Sequence, residues 1–250
     1  MVKGLDLFRD YFIDYTDQYV LIGGTAVDIH LSDEGLPFRL TKDLDIVIIV
    51  EALTKEFVDH FWSFIKLADY NHQNKSGENN FYRFLEPTNE KFPYMIEILS
   101  FENNIFNEPK TQPITRLSTD DEVVSLSAIM LDANYYKILK ANSIEKDGIM
   151  ILNDWGLILF KIKAHLNLKD EYENGSNVGQ KDRTKHRKDV FRIMQIVVFS
   201  GTMDVATEIQ NDVKRFIELD AVKTTDLKTL GILGNRNQYL EQIKEYFKIK

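Results

Sequence analysis

Arg39-Leu40-Thr41-Lys42-Asp43-Leu44-Asp45-Ile46-Val47-Ile48-Ile49-Val50 is the stretch whose reading decides the fold of this chain. From Leu44 onward it is rich in β-branched residues and apolar at both parities, the pattern of a central strand covered on both faces. Asp43 and Asp45 stand at the entrance to that strand. Alternate strand residues point the same way, so the two carboxylates project from one face and can grip one cation together. Hard divalent ions, magnesium or manganese, take oxygen ligands, and clustered carboxylates with phosphate oxygens hold them at phosphoryl-transfer sites. An Asp-x-Asp triplet also suits an ordinary solvated strand edge, so its surroundings decide.

Upstream, Tyr19 to Ile22 is a short apolar run stopped by Gly23-Gly24, which reads as a strand ending in a tight turn, and Thr25 to Leu31 reads as a helix. Glycines there let the backbone approach a ligand closely beside the positive end of a helix, a natural place for phosphate. The plainer alternative is a strained turn. Leu5, Phe8, Phe12 and Tyr15 recur at helical spacing over residues 3–17.

Downstream, the pattern predicts a helix over 54–68, a polar loop from Asn71 to Asn80, and a hairpin of two strands, Phe81 to Leu85 and Tyr94 to Phe101. Glu97 stands inside the second of these. A lone charge there is costly if buried, so Glu97 meets a metal, pairs with a nearby basic residue, or lies on a solvated face. If its strand neighbours that of Asp43, the three carboxylates converge on a site for two ions. From about Leu126 the period turns helical, with helices expected over 154–169, 184–199, 204–219 and 236–248. The expected fold class is therefore α+β, a mixed sheet flanked by helices over residues 1–125 and a mainly helical domain over 126–250.

The composition is that of a globular protein with a real core: 44% of the 250 residues are apolar and 28% charged. The absence of cysteine excludes disulfides, thiolate zinc sites and cysteine nucleophiles. The five histidines lack metal-ligand spacing and read as structural. Charges interrupt the apolar residues of the N-terminal segment, which reads as neither signal peptide nor membrane anchor, so a cytoplasmic protein is expected. A net charge of −8 argues against broad nonspecific nucleic-acid binding. Lys181, Arg183, Lys185, Arg187, Lys188 and Arg192 nevertheless form a dense basic cluster, either a solvated helix face balanced by Asp182 and Asp189 or a local surface for RNA. Lys161 is set in an otherwise apolar helix, where its ammonium snorkels to solvent or meets an anion such as a triphosphate.

Gly23-Gly24-Thr25-Ala26-Val27, followed by Arg39-Leu40-Thr41-Lys42-Asp43-Leu44-Asp45, resembles the signature of the DNA-polymerase-beta-like nucleotidyltransferase superfamily, and within it the AbiEii/AbiGii toxin family. That family pairs a Gly-Gly-Thr-Ala turn with an Arg-x-(Ser/Thr)-x-Asp-x-Asp strand entrance. The resemblance extends more loosely to Leu157–Ala164 and Arg187–Phe191. It implies a magnesium- or manganese-dependent enzyme that moves a nucleoside monophosphate from a nucleoside triphosphate to an acceptor. Asp43, Asp45 and Glu97 would be the catalytic and metal-binding carboxylates. Gly23, Gly24, Thr25, Arg39, Thr41, Lys161, Lys188 and Asp189 would bind the nucleotide. It further implies growth arrest, as the toxin of a toxin-antitoxin or phage-defence pair acting on tRNA or another RNA, with a cognate antitoxin as partner. Two other readings stand beside it: an aminoglycoside-type antibiotic nucleotidyltransferase, and a catalytically silent nucleotide-binding module, against which the intact carboxylates speak.

Overall fold

The structure, a computed structural model, describes residues 2–75, 81–100, 115–116 and 132–249. These residues divide into two compact units between Asn153 and Asp154. The sequence-based boundary at 125 lies outside the described residues. Residues 133–153 belong to the sheet unit.

The first unit is built on a mixed sheet, eight-stranded among the described residues: β1 (Tyr19–Ile22), β2 (Asp43–Ile48), β3 (Tyr70–Lys75), β4 (Phe81–Pro87), β5 (Met95–Ser100), β6 (Thr115–Arg116), β7 (Ser143–Lys146) and β8 (Ile149–Leu152). They lie in the order β6-β3-β4-β5-β2-β1-β8-β7. β2 is central, antiparallel to β1 and parallel to β5. Its residues from Leu44 to Ile48 are all buried, as the two-parity apolar run requires.

The helices of this unit are α1 (Leu5–Phe12), α2 (Gly23–Asp33), α3 (Lys55–Ala68) and α4 (Ala133–Ala141). α1 buries Leu5, Phe8 and Phe12, one face at helical spacing. α3 starts where the Thr54 hydroxyl accepts from the Phe57 amide and stops where Asp69 turns left-handed, and its apolar stripe carries Phe57, Phe61, Phe64 and Ile65. These rings interlock with each other and with the sheet. Phe12 lies 5.3 Å from Phe64 and 5.7 Å from Phe57, Phe8 meets Tyr19 edge-on at 5.4 Å, and Phe61 sits 6.0 Å from Phe84. Phe12 is wholly buried at the centre. Truncation to alanine (F12A) is expected to cost about 3–5 kcal/mol, read as a lower urea midpoint with an unchanged slope.

Two elements correct the sequence reading. Asn71–Lys75 belongs to strand β3, paired with β4, and not to a loop. Backbone pairing makes this strand without an apolar alternation to announce it. The second correction is the β7–β8 hairpin, read as helical. Asp147 and Gly148 both have positive φ, 49° and 78°, as a two-residue hairpin turn demands, and the hairpin extends the sheet through β8 beside β1.

The second unit is helical: α5 (Asp154–Glu173), α6 (Gln180–Ile193), α7 (Thr207–Glu218), α8 (Asp220–Lys223) and α9 (Arg236–Tyr246). α5 packs against α6 and α7, which explains why its residues are buried nearly all round. Trp155 stacks on Tyr246 at 3.6 Å and anchors the start of α5 to the end of α9. No helix among the described residues is long and apolar enough to cross a membrane.

Candidate active site

Strand register places the carboxylates. In the parallel β2–β5 ladder Asp43 faces Met95 and Asp45 faces Glu97, while β1 sets Ile22 beside Asp45 and β4 sets Arg83 beside Glu97. Paired residues share a sheet face, so Arg83, Glu97, Asp45 and Ile22 form one row across four strands. Phe84, Ile96, Leu44 and Leu21 project to the opposite face, the side of the aromatic core. Asp43 is the next residue of the site face along β2 and is half-buried.

All three charged members of the row are buried: Asp45 is 8%, Arg83 7% and Glu97 3% exposed. Arg83 donates to Glu97 Oε1 from Nε at 2.6 Å and from Nη2 at 2.5 Å. Asp45 is hydrogen-bonded to Glu97 as well. Two carboxyl groups in contact share a proton or a cation, because both cannot ionise cheaply side by side in a buried place. Burial first, and the Asp45 charge second, raise the Glu97 pKa well above the ordinary carboxylate value, against the pull of Arg83.

Of the outcomes open to Glu97, pairing with a basic residue is the one observed. Arg83 was not among the residues singled out by sequence. Its signal was there, a guanidinium in the middle of Phe81-Tyr82-Arg83-Phe84-Leu85, but only the register shows which carboxylate it serves.

The glycine turn closes on the same row. Gly23 has φ +70° and lies against Asp45, whose Oδ2 fills the place where a Cβ would stand. A Cβ on Gly24 would sit 2.8 Å from Thr41 Oγ1 and 3.4 Å from Arg39 Nη2, so both residues flank the start of α2. The Thr25 hydroxyl donates to the Asp43 carbonyl at 2.5 Å and ties the turn to β2. Among the described residues, no side chain caps α2. Gly23, Gly24, Thr25, Arg39, Thr41, Asp43, Asp45 and Glu97 are thus gathered at one end of β1, β2 and β5.

Asp43, Asp45 and Glu97 are the groups that could hold a hard cation. All offer oxygen, and with Arg83 their formal charges leave an excess of two negatives for a divalent ion to balance. Glu97 is turned toward Arg83, and no three or more His, Cys, Asp or Glu side chains among the described residues are grouped to enclose an ion.

In the helical unit Lys161 is buried, 4% exposed, and does not snorkel to solvent. Its Nζ lies 3.5 Å from Asp189 Oδ2, while Arg192 Nη1 donates to Asp189 Oδ1 at 3.0 Å. Asp189 is wholly buried between these two cations, and Lys188, its neighbour on α6, is half-buried. Two of the three helical-unit residues picked out by sequence therefore contact each other.

No protein-family model matches the sequence, and no curated protein matches it. Among solved structures, the chain is similar to the Megavirus polyadenylate synthase, with 12% identity, 88% of this chain and 36% of that one covered, and a TM-score of 0.45. It is also similar to a candidate nucleotidyltransferase from Helicobacter pylori, with 14% identity, 96% and 89% coverage, and a TM-score of 0.36. The chain spans about a third of the length of the polyadenylate synthase.

Proposed function

We propose that this protein transfers a nucleoside monophosphate from a nucleoside triphosphate to an acceptor hydroxyl, at the site formed by Asp43, Asp45 and Glu97 beside the Gly23-Gly24 turn. The observation that carries the reading is the contact of Asp45 with both Gly23 and Glu97: a buried carboxyl pair lies directly against an uncapped helix start. Carboxylates there suit a magnesium or manganese ion, and the helix start suits phosphate.

In this reaction the acceptor hydroxyl gives up its proton to water, its oxygen bonds to the α-phosphorus, the bond from that phosphorus to the bridging oxygen breaks, and pyrophosphate leaves. Asp43 and Asp45, with Glu97 as third ligand, would hold a divalent cation, which would supply Lewis-acid stabilisation of the phosphate oxygens and of the attacking oxygen. The residues of this chain do the positioning. Backbone N–H groups at Gly24 and Thr25 and the side chains of Arg39 and Thr41 hold phosphate oxygens, and Thr25 fixes the turn to β2. For the helical unit the resemblance proposes Lys161 and Lys188 as phosphate-binding cations, with Asp189, 3.5 Å from Lys161, positioning that lysine.

The order of the Gly-Gly-Thr-Ala and Arg-x-Thr-x-Asp-x-Asp motifs supports a toxin role with a cognate antitoxin, acting in the cytoplasm. The basic residues between Lys181 and Arg192 support RNA, tRNA included, as acceptor. The test is incubation of the purified protein with each α-labelled triphosphate, magnesium, and either total tRNA or a panel of aminoglycosides. Label is expected on RNA. Label on drugs alone would overturn the acceptor, and a protein that neither transfers nor binds a triphosphate would overturn the enzyme.

A further inference from the structure

Within the helical unit lies a cavity of about 430 Å³ lined by none of the carboxylates or nucleotide-binding residues proposed above. Its walls come from one face of α5 (His165, Lys169, Tyr172), one face of α6 (Gln180, Arg183, Thr184, Arg187) and the link Leu219–Ala221. The spacing makes this possible. Residues 165, 169 and 172, and residues 180, 183, 184 and 187, each follow helical periodicity and so present one stripe. A volume of this size is that of a small-molecule site.

The charge in this cavity is unbalanced. Arg187 is half-buried, makes no ion pair among the described residues, and its Nε is buried with no hydrogen-bond partner. Burial alone lowers its pKa. Arg183 lies with its guanidinium carbon 3.7 Å from the centre of the Tyr172 ring, and its Nε too is buried without a partner. Lys169 is engaged by Glu173 on its own helix at 2.5 Å, and Asp220 is the one acidic residue of the lining. His165 is hydrogen-bonded to the backbone of Arg183, and burial followed by the Arg187 charge lowers its pKa to about 4. It is therefore neutral near pH 7 and adds nothing to the charge. A guanidinium drawn out of water without a counter-ion is costly, and an oxyanion is the partner that guanidinium geometry fits best.

We infer that this cavity is a binding site for a phosphorylated small molecule, with Arg187 and Arg183 as the groups that grip its phosphate. The inference does not rest on the nucleotidyl-transfer reading: it shares with it only Arg183 and Arg187, named there for an RNA acceptor, and its test measures no transfer.

His165 gives the site its own probe. In the full chain, the ring-proton resonance of His165, assigned with His165→Gln, is followed by NMR while inorganic phosphate or AMP is added without metal. Saturable movement of that resonance is expected with both. Tighter binding of AMP marks a nucleotide as occupant, and equal binding marks the free anion; each upholds the site. Arg187→Gln is expected to weaken binding at least tenfold while leaving the melting temperature equal or higher, since it removes an uncompensated charge. Should that variant fail to fold, Arg183→Gln reads the same site. A His165 signal that stays still, or that moves identically in the arginine variants, would overturn the inference.

Discussion

Alanine in place of Arg83 (R83A) is expected to cost about 3–5 kcal/mol at pH 8, because removal of one partner from a buried ion pair strands the other. Here the stranded group is Glu97, 3% exposed and already beside Asp45. Acid should relieve the loss. The Glu97 pKa is raised in the folded protein, so the folded state binds more protons than the unfolded chain above the ordinary value of 4.5. Stability from this group is fully present below pH 4.5 and is lost as the pH rises through the folded value. The variant lacks the one residue that lowers this pKa, and its deficit should shrink as the pH falls through the folded value toward 4.5. Urea unfolding of both proteins in EDTA at several pH values measures this. A deficit that is constant with pH would show that Arg83 acts through packing alone.

The second large effect separates function from stability. Asp45→Asn keeps the shape of the side chain over Gly23 and removes one of two like charges from the buried row. The variant is expected to fold with equal or higher stability in EDTA and to lose nucleotidyl transfer by on the order of 10³-fold, the scale of losing one preorganised electrostatic group. A merely structural aspartate would give the reverse, lower stability with proportionate activity.

The parts of this fold that announce themselves in the sequence are those set by local physics. The β-branched run after Asp45 could be little other than a buried strand, the helix expected over 54–68 is α3, and Asp43 and Asp45 fell on one side by strand period alone. What stayed hidden depends on pairing between distant segments. Which strand lies beside β2 decides whether Glu97 meets Asp45, and no local pattern states it. The β3 strand is polar and owes its form to β4. Asp147-Gly148 did carry a hairpin signal, overshadowed by the helical periods on either side. Arg83 and the cavity of Arg187 are hidden for a different reason: a buried charge is recognisable in sequence, but whether it has a partner is a property of the folded chain.

The central claim is that Asp43, Asp45 and Glu97 hold a divalent cation with a triphosphate. Manganese binding followed by electron paramagnetic resonance, with a triphosphate analogue that cannot be cleaved at the α-phosphorus, tests it directly. The wild-type protein is expected to bind manganese saturably only when the analogue is present, with Asp43→Asn and Asp45→Asn each weakening it at least tenfold and Glu97→Gln less. Manganese that binds the aspartate variants as tightly as the wild type, or that does not bind the wild type with the analogue, would contradict the assignment.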